Sequence, residues 1–224
     1  MFSRLFSKPK PAANPIREIL FGDMPLDKWP ADPSPQEFPW SAFVAARHYL
    51  ATSDTTSAIQ QWSQILGTAD LESRHYVQAW NFLRQHAQQP PPEIAKNVFG
   101  VIVEVTMPKG LDLLAAYADH SARYYSFSGG GVAWEHPDTS LDSLIDSLLT
   151  ASGEVAKQIG PWDEERPPAP PAGQMRISFL TPSGLHFGQA PVQALASDPL
   201  GGRVVQLATA LMQELIAKTN AQPS

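Results

Sequence analysis

The chain has 224 residues, 43% of them apolar and 17% charged, with a formal net charge of −6. That is a globular composition, and its acidity argues against broad electrostatic binding to nucleic acid. It contains no cysteine, which excludes disulfides, thiolate nucleophiles, iron–sulfur clusters and cysteine zinc sites, and fits a reducing, cytoplasmic compartment.

No run approaches the ~18 apolar residues of a membrane span. The opening "MFSRLFSKPK" lacks the apolar stretch of a secretory signal. Phe2, Leu5 and Phe6 beside Arg4, Lys8 and Lys10 match an interfacial anchor weakly, so peripheral membrane association through residues 1–10 is one expectation and a docked or frayed terminus is the other. Prolines number 22 in all, and the first cluster, Pro9 to Pro39, predicts an extended segment with one short helical piece near Ile16–Phe21. Trp29, Phe38 and Trp40 would pin it against a folded body.

Three helices are predicted next. The first, in "SAFVAARHYLAT", carries Phe43, Ala46 and Leu50 on one stripe. The second, in "SDTTSAIQQWSQILG", starts at a Ser53/Asp54 cap and ends at Gly67. The third carries Tyr76, Val77, Trp80 and Leu83, with Asp70 expected as its cap. The pattern has a weak tetratricopeptide-like character, but a helical subdomain packed on a sheet accounts for it. Pro90 to Pro92 cannot continue a helix. The chain therefore divides into a proline-rich segment 1–40, a helical subdomain 41–92, an α+β domain 93–218 and a tail 219–224.

Within 93–218, Val101, Val103 and Val105 alternate with Ile102, Glu104 and Thr106, and "MPKG" turns the chain into a second strand through Leu111, Leu113, Ala115 and Tyr117. A third strand runs around Arg123–Phe127 and a fourth around Val132–Glu135. An amphipathic helix follows, with Leu141, Leu144, Ile145, Leu148 and Leu149 at helical spacing and Asp138 or Thr139 as its cap. The stiff linker "GPWDEERPPAPPAG" leads to a second hairpin, "QMRISFLTPSGLHFGQ", and two terminal helices. This order predicts an α+β fold: an antiparallel sheet of about six strands (β-meander, helix, hairpin, helix) with the helices of this domain on one face.

The run "SFSGGGVAW" raises the question of a phosphate loop. Such a loop needs glycines between a strand and a helix, usually followed by lysine. Gly129, Gly130 and Gly131 lie between two β-like runs with no lysine after them, which points to a hairpin turn. The close approach of a ligand over these glycines is the remaining binding role.

His48, His75, His86, His120, His136 and His186 form no H-x-x-x-H or H-E-x-x-H pair, so no metal site and no cofactor is predicted. One polar cluster is conceivable. Asp119, His120 and Arg123 sit at one turn, with Glu135 and His136 one strand over and His186 on the second hairpin. Together they could serve acid–base or ligand-binding chemistry. No G-x-S-x-G elbow is present, and Ser183 near His186 is read as turn chemistry, not a triad. Tyr124, Tyr125, Phe127 and Trp134 could imitate an RNA-stacking platform, but with only Arg123 beside them they read as core packing.

The strings "GVIVEV", "GLDLLAAYADHSARYYSFSGGGVAWE", "IGPW" and "RPPAPPAGQMRISFLTPSGLHFGQ" together resemble a family of uncharacterised bacterial proteins, over about residues 99–212. The resemblance implies a bacterial source and one coherent domain, and transfers no activity or site. The function expected first is a non-enzymatic protein-interaction or adaptor role, presenting hairpin tips and a sheet edge to another protein. The alternative is a small-molecule sensor or enzyme using the polar end of the sheet.

Overall fold

A computed structural model of the chain describes residues 15–32, 34 and 37–221. The N-terminal anchor expected at 1–10 lies outside them. The helices are α1 (Pro15–Glu18), α2 (Trp40–Ala51), α3 (Thr55–Leu66), α4 (Ser73–Gln85), α5 (Asp142–Gln158), α6 (Val192–Ser197) and α7 (Gly201–Ala221). The strands are β1 (Gly100–Met107), β2 (Gly110–Tyr117), β3 (Ala122–Tyr125), β4 (Gly131–Trp134), β5 (Gln174–Thr181) and β6 (Gly184–Pro191). They form one antiparallel sheet in the order β4-β3-β2-β1-β5-β6. The expected α+β class and strand count therefore hold.

Among the described residues, α5, α6 and α7 cover one face of this sheet, as expected, and the N-terminal half covers the other. Val101 and Val103 of β1, Leu114 of β2 and Ile177 of β5 face one way, into a core closed by Ile145 and Leu148 of α5 and Leu211 and Leu215 of α7. Ile102, Leu113, Ala115, Tyr117 and Leu180 face the other way, against Leu20, Phe21 and Val77. The reason is visible in β2, where Leu113, Ala115 and Tyr117 alternate with Leu114 and Ala116, all buried; a strand buried on both faces needs a layer on each side.

That second layer is the N-terminal half. Helices α2, α3 and α4 share their own core around Phe43, Trp62, Ile65, Phe82 and Leu83. Asp54 caps α3 as expected, accepting from the Ser57 N–H at 3.0 Å. Gly67 is the C-cap residue but has right-handed geometry, φ −85°. Asp70 does not cap α4: it takes φ 59° and the helix begins at Ser73. Trp29 stacks obliquely on Trp40 at 5.1 Å and edge-on to Phe43 at 5.9 Å, so aromatics do pin the proline-rich segment. Helix α5 runs unbroken through Ser152 and Gly153. The buried Ser152 hydroxyl returns its hydrogen bond to the Leu148 carbonyl at 2.7 Å, which hides the polar group that interrupts the apolar pattern.

A buried ionic cluster straps the N-terminal segment and the proline linker to the sheet. Glu104 is fully buried. It accepts from Arg17 Nε at 2.6 Å and lies 3.5 Å from Nη1 of Arg176, its direct cross-strand partner. The two guanidinium groups also donate to linker carbonyls, Arg17 to Pro167 at 2.9 Å and Arg176 to Pro168 at 2.7 Å. Arg166, from the linker itself, bonds Glu18 at 2.7 Å and Asp23 at 2.6 Å. Every charge in the cluster has an opposite partner, as burial demands.

The triple glycine is a hairpin turn between β3 and β4. Gly129 N–H donates to Ser126 O at 3.0 Å with φ 96°, and Ser126 N–H donates to Gly130 O at 2.7 Å. Gly131 is required by its own chain: a Cβ there would come within 2.7 Å of the Tyr125 ring across the strand pair. The stacking platform does not form. Tyr124 and Trp134 belong to the face packed under α5 and α7, and Tyr125 belongs to the other.

Candidate functional site

The polar cluster grows from the tight turn between β2 and β3. Asp119 stands in that turn and accepts from the backbone N–H of Ser121 at 2.9 Å and of Ser73 at 2.6 Å. The Ser73 hydroxyl in return accepts from the Asp119 N–H at 3.0 Å. This is a reciprocal cap on the first turn of α4, supplied from 46 residues away. It fixes the helical layer against this end of the sheet.

His120 follows in the left-handed region, φ 61°, which a histidine enters more readily than most residues. Its Nε2 lies 2.9 Å from Asp146 Oδ1, and its Nδ1 lies 3.7 Å from Asp142 Oδ2. At the end of β4, Glu135 pairs with Arg123 across the strands. His136 then places Nε2 3.0 Å from Asp142 Oδ2 and 3.2 Å from Oδ1. The two imidazoles are 5.5 Å apart, centre to centre.

These groups border a cleft of about 630 Å³ between the start of α4 and the edge of the sheet. Asp119, His120, Arg123, Glu135 and His136 all line it. Tyr76 and Phe99, with rings 5.6 Å apart, give it an aromatic wall. Five of the six residues that the sequence grouped at one end of the sheet therefore converge, and one does not.

His186 is the exception. It sits on β6, at the opposite edge of the sheet from β3 and β4, and is fully buried. Its Nδ1 lies 3.2 Å from the Ile159 carbonyl, so that nitrogen carries the proton, and Nε2 accepts from Ser183 Oγ at 3.0 Å. Ser183 Oγ also contacts Thr181 Oγ1 at 3.0 Å, and Thr181 donates to the Gly184 carbonyl. The serine–histidine pair is real but closes the β5–β6 turn. The glycines also lie apart from the cleft. Gly129 and Gly130 line a shallow hollow of about 260 Å³ with Ile16 and Phe127, at the far end of β3 from His120.

Asp142 and Asp146 were missed from sequence. One signal was available: two aspartates at i and i+4 in "DSLID" repel on one helix face unless hydrogen-bond donors or cations meet them, and two histidine rings lie against them here.

Burial holds His186 below the usual histidine range, and it does the same to His75, which is buried beside Trp29, Trp40 and Phe43. Both groups bind a proton less readily folded than unfolded. Their contribution to stability is complete above the unfolded value of about 6.5 and is lost as pH falls below it, each at up to ~1.4 kcal/mol per pH unit. Urea unfolding should give a lower stability at pH 5.5 than at 7.0, and His75→Phe should reduce that difference. An unchanged difference would show that His75 ionises freely in the folded protein.

No family model matches the chain, and no curated protein or solved structure matches it either.

Proposed function

We propose that the protein binds a small polar molecule in the cleft at the His120–His136 end of the sheet. The observation that carries this reading is the convergence, on one concavity, of Arg123, Glu135 and the two histidines with an aromatic wall. Charged and hydrogen-bonding groups around an apolar surface are the usual make-up of a small-ligand site. The reciprocal Asp119–Ser73 cap holds both walls in place, so the groups are positioned before a ligand arrives.

A protein-interaction role draws support from a different place, the exposed Ile16 and Phe127 beside the β3–β4 turn. A sheet edge is less suited to it. β4 offers only four residues, and the β6 edge already accepts the Trp162 N–H on the Leu185 carbonyl at 2.7 Å.

The test is a thermal-shift screen of small polar metabolites against the full chain and its Arg123→Ala variant. A compound that raises Tm in the parent, with the rise lost in the variant, is expected. No stabilising compound, or one that acts equally on both proteins, would refute the cleft as the site.

A further inference from the structure

We propose that His120, His136 and Asp142 form a site for a divalent first-row transition-metal ion, with Asp146 as the outer carboxylate that orients His120. This deepens the reading of the cleft as a binding site, since both histidines line it.

The geometry supports it in three ways. First, one ligand atom from each of the three residues lies within 4.8 Å of the others. A tetrahedral ion with bonds of about 2.0–2.1 Å separates its ligand atoms by about 3.4 Å. The separations of 3.7 Å from His120 Nδ1 to Asp142 Oδ2 and 3.0 Å from His136 Nε2 to the same oxygen bracket that value.

Second, the tautomer of His120 is set from outside. Asp146 can only accept, so His120 Nε2 carries the proton in their 2.9 Å contact. In the neutral tautomer so fixed, the Nδ1 lone pair faces a carboxylate oxygen. Either a proton or a metal ion between the two would relieve their repulsion, and a metal ion would use the geometry of all three residues. A histidine whose far nitrogen donates to a carboxylate is the common arrangement of a metal-bound imidazole.

Third, the three ligands come from rigid surroundings: a tight turn tied to α4 by Asp119, the end of β4, and the first turn of α5. Two imidazoles and one carboxylate suit zinc, cobalt, nickel or iron(II) and not magnesium or calcium, which prefer all-oxygen sites. Three protein ligands leave a four-coordinate ion one open position, and the histidines place it beside the cleft. A small ligand with a carboxylate or hydroxyl donor could complete the shell there.

The experiment is equilibrium dialysis of the chelator-treated full chain against zinc alone, with bound metal quantified, repeated with cobalt, whose visible absorption reports coordination number. One equivalent of zinc is expected. Its affinity should fall at least tenfold in His136→Ala and in Asp142→Asn, should fall about 10–100-fold in Asp146→Asn, and should be unchanged in His48→Ala, a surface histidine elsewhere. Circular dichroism confirms that each variant is folded. Sub-stoichiometric zinc, or uptake equal in His136→Ala and the parent, would overturn the site; loss in His136→Ala with full affinity in Asp146→Asn would overturn the role given to Asp146. Because no organic ligand is present, failure here is separable from failure of the metabolite screen.

Discussion

Glu104→Gln should lower the unfolding free energy by about 3–5 kcal/mol, the usual effect of removing one partner from a buried ion pair. Its carboxylate is fully buried between Arg17 and Arg176, and glutamine would remove the charge the two guanidinium groups share, Arg17 keeping its longer contact with Glu18 at 3.6 Å. For a chain of this length the loss corresponds to a fall in Tm of roughly 6–20 °C. Urea titration of parent and variant measures it. The triple replacement Arg17→Met, Glu104→Leu and Arg176→Met should lose less than Glu104→Gln alone, because it removes the buried positive charges together with the carboxylate. A loss below about 1 kcal/mol for Glu104→Gln would mean that water reaches the cluster.

Trp62→Ala should be comparably damaging, at about 3–5 kcal/mol. Trp62 is fully buried at the centre of the helical layer, with its ring 5.3 Å from Phe82 and 5.3 Å from His86. Alanine would leave a void that three helices cannot close without moving. The site of damage is as informative as its size. Val77 of α4 packs with Leu20 and Phe21 against Ile102 and Leu113 of the sheet, so the layers share a core. The variant is therefore expected to unfold in a single transition at a lower urea concentration, with amides of α3 and β1 losing exchange protection together. Loss of protection confined to residues 40–85 would instead show a helical layer that unfolds by itself.

The elements that could be read from sequence are those whose signals are local. β1 and β2 announce themselves by alternation and by the turn residues between Met107 and Gly110, and β5 and β6 by the same logic around Pro182 and Gly184. A helical layer packed on the sheet is expected from the amphipathic helices before Pro90, but not the face it takes, because apolar residues at both parities of β2 reveal burial and not what covers each side. Glu104 looked like an ordinary polar position in an alternating strand. Its partners stand 87 residues before it and 72 after it, beyond any local pattern. The cleft was partly visible because Asp119 and Glu135 flank adjacent strand ends. Asp142 was not, since an aspartate in the first turn of a helix already has a sufficient local reason to be there, and Asp146 one turn on reads as an ordinary exposed position of an amphipathic helix.

The ionic strap also sets an order of events. Arg17 waits for Glu104, which is made 87 residues later, and Glu18 waits for Arg166, made 148 residues later. Leu20 and Phe21 can reach Val77, Ile102 and Leu113 once β1 and β2 are made, but the ionic strap stays open until the linker carrying Arg166 and the strand carrying Arg176 have been synthesised. Closing such distant pairs costs loop entropy before any contact offsets it.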